Sequence, residues 1–153
     1  MNTNASMGEQ GAPSAPMMAV VFRIVVVFDT VALLVAAALH VAGARFALGS
    51  VVFAEPQMVP AAIVEGLDGL VFAAATYAVL TGKRWAWTMT LIAHVFAILG
   101  FLLGLFSTRN GTTPFNHDYH LIMLAIFVIG LTLLFTPAAR AALGQGVRKV
   151  RTR

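Results

Sequence analysis

The chain has 153 residues, of which 59% are hydrophobic and only 10% are charged. Mean hydropathy is +0.87, whereas a soluble domain carries roughly 25% charged residues, so a water-soluble enzyme and a disordered chain are both excluded. The absence of cysteine removes disulfides, thiolate metal sites, thiol catalysis, iron–sulfur clusters and covalent c-type haem attachment. The formal net charge is +4, and its positive residues gather near the end of the chain. That pattern reads as membrane orientation, not as nucleic-acid binding.

Residues 1–19 are small and polar, without periodicity, and read as a mobile tail. They contain no Lys or Arg and so lack the charged start of a signal peptide. Val41-Ala42-Gly43-Ala44 imitates a cleavage site, but the apolar run before it is too long for a signal sequence, so it reads as a retained helix.

Four apolar segments of bilayer-crossing length follow. They run about 20–42, 59–80, 85–106 and 117–136. The second has Pro60 in its first turn and Gly82 just past its end. Trp85 and Trp87 open the third at the interface. Asn116 reads as the N-cap of the fourth and Pro137 as its stop. The expected fold is an all-α integral membrane four-helix bundle, followed by a basic tail over 137–153.

Lysine and arginine set the expected topology. Arg140, Arg148, Lys149, Arg151 and Arg153 follow the fourth helix, Lys83 and Arg84 fill the turn after the second, and Arg23 lies early in the first. The other two loops carry only Arg45 and Arg109. The positive-inside rule then puts both termini in the cytoplasm and loops 43–58 and 107–116 outside. Loop 43–58 is itself apolar and is expected on or in the outer interface. Asn110-Gly111-Thr112 is a glycosylation sequon by pattern, set aside because the Ala/Val/Gly-rich composition points to a bacterial inner membrane.

Gly100 and Gly104 form a GxxxG pattern, and Gly66 and Gly69 lie in the second segment. Small residues let helices approach closely in lipid. Packing within the bundle is the favoured reading, and a homodimer face through Gly100 and Gly104 the minor one.

The informative residues are those that lipid should reject. An ionisable group at mid-span costs about 2.5–3.5 kcal/mol on insertion scales, so each needs a partner or a purpose. Asp29, His40, Glu65, Asp68, His94, Asp118 and His120 are of this kind. Counted along the helices at about 1.5 Å per residue, they form a ladder from the outer surface to just past the midplane. Glu65 and Asp68 share a face, three residues apart. Asp29 and His40, eleven apart, point almost the same way, and Asn116, His117, His120 and Met123 recur at helical spacing. One inward polar stripe per helix is what a bundle needs to build an internal site.

Several of these have ordinary explanations. Arg23 snorkels to the interface, Asp118 suits the start of a helix, His117 is solvated, and Met123 belongs to the core. For His40 and His120, solvation at the interface weighs evenly against a role. For Asp29, Glu65, Asp68 and His94 the bland alternative is mutual satisfaction. Asp29 would pair with His94, and Glu65 with Asp68 or His40.

Three functions remain. His40, Glu65, Asp68 and His120 supply imidazole and carboxylate ligands for a metal ion. His40 and His120 also offer the two axial ligands of a haem b, with His94 a further cofactor-binding candidate at greater depth. Glu65, Asp68, His94 and Asp29 alternatively resemble a proton relay, with His94 donating to a quinone. The third reading is a non-catalytic accessory or assembly subunit. Ile63-Val64-Glu65-Gly66-Leu67-Asp68-Gly69, followed by Leu80-Thr81-Gly82-Lys83-Arg84-Trp85-Ala86, resembles helices two and three of the DoxX-like family. These are small bacterial four-helix membrane proteins. The resemblance covers about a third of the chain and implies a four-helix fold with a tie to quinone-linked redox chemistry. Only Glu65 carries over by position. The Gly-x-x-Lys ending of helix one is replaced here by His40-Val41-Ala42-Gly43-Ala44-Arg45, and neither His94 nor the start of helix four belongs to the family pattern.

Overall fold

The computed structural model describes residues 14–43, 45–54, 56–109 and 114–145. Among them are helices α1 (Ala15–Ala42), α2 (Val59–Leu80), α3 (Ala86–Thr108), α4 (Pro114–Leu134) and α5 (Pro137–Ala142). A hairpin of β1 (Arg45–Leu48) and β2 (Val51–Ala54) joins α1 to α2. The first four helices are long and apolar enough to cross a membrane, the make-up of an integral membrane helix bundle. Their outer faces present Ile24, Leu70, Leu99, Ile122 and Ile129, all exposed, as lipid contact requires. The sequon, the first thirteen residues and the basic segment from 146 onward lie outside the described residues.

The element boundaries depart from the sequence reading in three places. Helix α1 starts at Ala15, inside the expected tail, with Pro16 in its first turn, a position that suits proline's fixed φ. Helix α4 starts at Pro114, so Asn116 is not an N-cap. It lies within the first turn with its side chain buried. Pro137 ends one helix and opens another: the Thr136 hydroxyl accepts from the Ala139 N–H at 3.2 Å and caps α5. The segment 137–142 is therefore a short helix, whose Ala139 and the following Leu143 pack among Met18, Phe22 and Leu134.

The apolar loop after α1 is a two-residue hairpin, with Arg45 opposite Ala54 and Leu48 opposite Val51. Gly49 at its turn has φ +62°, a left-handed conformation that glycine adopts at low cost. Gly43 caps α1 at φ 62°, its N–H bonding to Leu39 O at 2.9 Å. The Met58 N–H then donates to His40 O at 2.9 Å, so the hairpin leaves and re-enters the bundle at one point.

Small residues set the helix spacing. A Cβ at Gly69 would stand 2.7 Å from Leu34 Cδ2 and one at Gly66 3.8 Å from the Ala37 Cβ, so α1 lies close along α2. Thr76 donates to Val26 O at 2.8 Å and its Oγ1 is 2.8 Å from that of Thr30. Gly100 faces Val64 and Asp68, and Gly104 faces His120, so both GxxxG glycines serve packing inside this chain. The interior has three layers. At the end holding Lys83 and α5 is a cluster of Met18, Phe22, Val26, Val79 and Leu134. In the middle are Leu33, Phe72, Phe101, Met123 and Phe127. At the hairpin end the interior becomes polar.

Candidate functional site

Four buried polar residues meet at the hairpin end. His40 comes from the last turn of α1, Glu65 from the second turn of α2, and Asn116 and His120 from the start of α4. Their exposures are 2%, 3%, 2% and 6%, so the solvated reading of His40 and His120 does not hold. His40 Nδ1 lies 2.6 Å from Glu65 Oε2, and the Asn116 amide nitrogen is 3.3 Å from His40 Nε2. These contacts suit an imidazole that donates through Nδ1 and accepts at Nε2. The short Nδ1–Oε2 distance is that of a strong hydrogen bond, with Oε2 as the acceptor. His120 donates from Nδ1 to Asn116 O, one turn back, at 2.8 Å, which leaves Nε2 turned toward α3 beside Gly104. Asn116 thus links the two histidines, His40 through its side chain and His120 through its backbone.

A cleft of about 150 Å³ opens over this cluster between α2 and α3. Glu65 and His120 are the ionisable side chains in its lining, beside Ala61, Val64, Phe101 and Leu103. A second groove of about 220 Å³ lies between α1 and α4, with Ala32, Val35, Ala36 and Leu39 on one side and Asn116 and Tyr119 on the other. His40 lines this groove.

The deeper candidates stand apart. Asp68, one turn inward from Glu65, is wholly buried against Gly100, and neither carboxyl oxygen has a hydrogen-bond partner. Asp29 is equally buried and equally unpartnered. His94 donates from Nδ1 to Thr90 O at 2.8 Å, one turn back, and its Nε2 faces Gly130 without a partner. Phe72 and Phe127 pack against its ring, with centroids 5.1 and 6.4 Å away. The expected Asp29–His94 pair therefore does not form, while the Glu65–His40 pair does. His117 is exposed and Met123 is in the core, as read from the sequence, whereas Asp118, also exposed, falls past the first turn because α4 starts at Pro114. Among the described residues, no three His, Asp or Glu side chains converge in a group suited to a metal ion.

Two residues do more than their sequence context suggests. Asn116, read as a cap, is the bridge between the histidines. Gly130 accommodates His94 as Gly104 accommodates His120. The signal was present: His94 precedes Gly104, and His120 precedes Gly130, by ten residues each, so two antiparallel helices can exchange the same contact. No family model matches the chain, and no curated protein or solved structure matches it either.

Proposed function

We propose that the cleft between α2 and α3 binds the ring-shaped, hydroxyl-bearing head of a lipid-borne molecule of the hydroquinone class, in a redox-linked setting. One observation carries this reading: the two ionisable groups of the cleft, Glu65 and His120, both present hydrogen-bond acceptors, while the Ser107 and Thr108 hydroxyls in its wall already donate to Leu103 O and Gly104 O. The second oxygen of Glu65, Oε1, has no partner, and His120 has committed its Nδ1–H to Asn116 O. A head that donates hydrogen bonds fits two acceptors, and a head with only carbonyls does not. The volume supports the same reading, since an engineered apolar cavity of about 150 Å³ takes up benzene. A single ring enters, and a prenyl-type tail stays in lipid.

The chain's own residues divide the work. Phe101, Val64 and Leu103 exclude water around the ring. His120 and Glu65 orient its hydroxyls. The His40–Glu65 pair offers a place for a proton: with His40 protonated, Asn116 can turn its amide to present oxygen to Nε2. The positive-inside rule puts this site toward the outer face of a bacterial inner membrane, with both termini cytoplasmic. The DoxX-like resemblance, in which Glu65 is the shared position, supports the tie to quinone chemistry.

A metal or haem bound by His40, Glu65, Asp68, His94 and His120 has less support. Glu65 and Asn116 occupy the two nitrogens of His40, and His94 is separated from the others by the aromatic layer. The test is titration of detergent-purified protein with a short-tailed hydroquinone and its matching quinone, alongside elemental analysis. Saturable binding that favours the hydroquinone, weakened about tenfold by His120→Ala or Glu65→Gln, is expected from the loss of one hydrogen bond worth about 1.5 kcal/mol. Absence of saturable binding overturns the reading. Near-stoichiometric metal that is lost in His40→Ala replaces it with the metal reading.

A further inference from the structure

Asp68 has no role in the contacts described so far, and its surroundings are unusual. Its carboxyl group is fully buried, both oxygens lack partners, and it sits three residues from Glu65 on the same face of α2. The rise between the two residues is about 4.5 Å. On its other side is Gly100, where a Cβ would stand 2.6 Å from Oδ2 and 3.0 Å from Val64 Cγ1. Gly100 and Val64 are also walls of the cleft. The missing side chain at Gly100 is thus what allows a carboxyl group to stand directly behind the cleft's inner end.

We propose that Asp68 is the inner proton-exchanging group of the cleft, trading a proton with Glu65 when the ring-shaped head binds. This rests on the hydroquinone reading above and assigns a residue to its proton. The other ionisable groups around the cleft are Glu65 on α2 and His120 on α4, with His40 of α1 behind Glu65. Two carboxylates one turn apart in a low-dielectric interior repel when both are ionised, and neither the free Oε1 of Glu65 nor Asp68 has a donor to stabilise a second negative charge. One proton shared between them relieves this. When a hydroxyl of the head donates to Glu65, the carboxylate form of Glu65 is favoured, because it accepts from the hydroxyl and from His40 together. The O–H bond at Glu65 breaks, an O–H bond forms at Asp68, and the negative charge moves outward by one helical turn. No oxidant or reductant takes part.

Infrared difference spectroscopy on lipid-reconstituted protein, with and without a short-tailed hydroquinone, tests this. Binding is expected to perturb a protonated-carboxyl C=O band that shifts when wild-type protein carries ¹³C in its aspartate carboxyls, persists in Asp29→Asn and is lost in Asp68→Asn. The isotope measurement needs no substitution, so it stands even where Asp68→Asn fails to fold. Saturable binding with no perturbed aspartate band, or a band lost in Asp29→Asn, overturns the assignment and leaves the cleft reading intact. No saturable binding overturns both.

Discussion

Glu65 and His40 share a 2.6 Å hydrogen bond, yet each lines a different cavity. Glu65 belongs to the cleft between α2 and α3, and His40 to the groove between α1 and α4. Their bond therefore crosses the interior and joins α1 to α2 where the helices leave the hairpin. Membrane hydrogen bonds measured by double-mutant cycles average only about 0.6 kcal/mol, with an upper end near 1.7. A short, buried imidazole–carboxylate contact belongs at that upper end. A cycle of His40→Ala, Glu65→Gln and the double variant, followed by detergent-induced unfolding, should give a coupling of about 1.5 kcal/mol. A coupling near zero would show that the pair is incidental to the fold.

The α3–α4 contact gives a sharper contrast between glycines. Gly104 has His120 Nε2 against it, with only 2.5 Å available to a Cβ, and Gly130 is still closer to His94 Nε2. Both imidazoles are held at Nδ1 by the carbonyl one turn back, so neither can swing away freely. Gly104→Ala and Gly130→Ala should each cost about 1–3 kcal/mol through overpacking, despite the higher helix propensity of alanine. Gly66→Ala meets only the Ala37 Cβ at 3.8 Å, and should be neutral or stabilising by up to about 1 kcal/mol. Adding His120→Ala to Gly104→Ala should restore part of the loss. Equal effects at positions 66 and 104 would contradict the His–Gly contact.

How much of this was legible in the residues depends on which force set each feature. The four spans followed from hydropathy, because lipid imposes one length on every crossing helix. The inward stripe was also readable, since an ionisable residue facing lipid is too costly to tolerate, and His40, Glu65, His94 and His120 are indeed buried. Pairing was not readable. Depth placed Asp29 and His94 together, but pairing needs rotation as well as depth. Thr90 O takes the His94 Nδ1–H, and Gly130 receives the rest of the ring. Asn116 was misread for a related reason: asparagine before an apolar run is a strong cap signal, yet Pro114 opens the helix two residues earlier and frees the amide to reach His40. The hairpin escaped notice because an apolar loop gives no sign of strand pairing beyond Gly49-Ser50 at its turn.

Helix α5 should behave as a separately anchored element. The Thr136 hydroxyl accepts from Ala139 N and lies 2.8 Å from Leu133 O, so it ties the α4 end to the α5 start. Thr136→Ala should cost about 1 kcal/mol, the usual value of a lost N-cap. Hydrogen exchange should rise over residues 139–143 while the amides around His40 and Glu65 keep their protection. Exchange that rises equally at both ends would mean that α5 is integral to the bundle's stability.

From the positive-inside rule we expect the cleft to open outward, and the lack of native cysteine makes the orientation directly measurable. Lys83, Arg84 and Arg140 lie at one end of the bundle, while the hairpin end bears Arg45 and Arg109. Ser50 in the hairpin turn and Thr81 after α2 are both exposed and mark opposite ends. In intact cells, a membrane-impermeant maleimide should label Ser50→Cys and spare Thr81→Cys, and permeabilisation should expose the second. The reverse pattern would turn Glu65 and His120 toward the cytoplasm. The head group would then have to reach the site from the inner leaflet, and the proton shared with Asp68 would exchange with the cytoplasm in place of the outside.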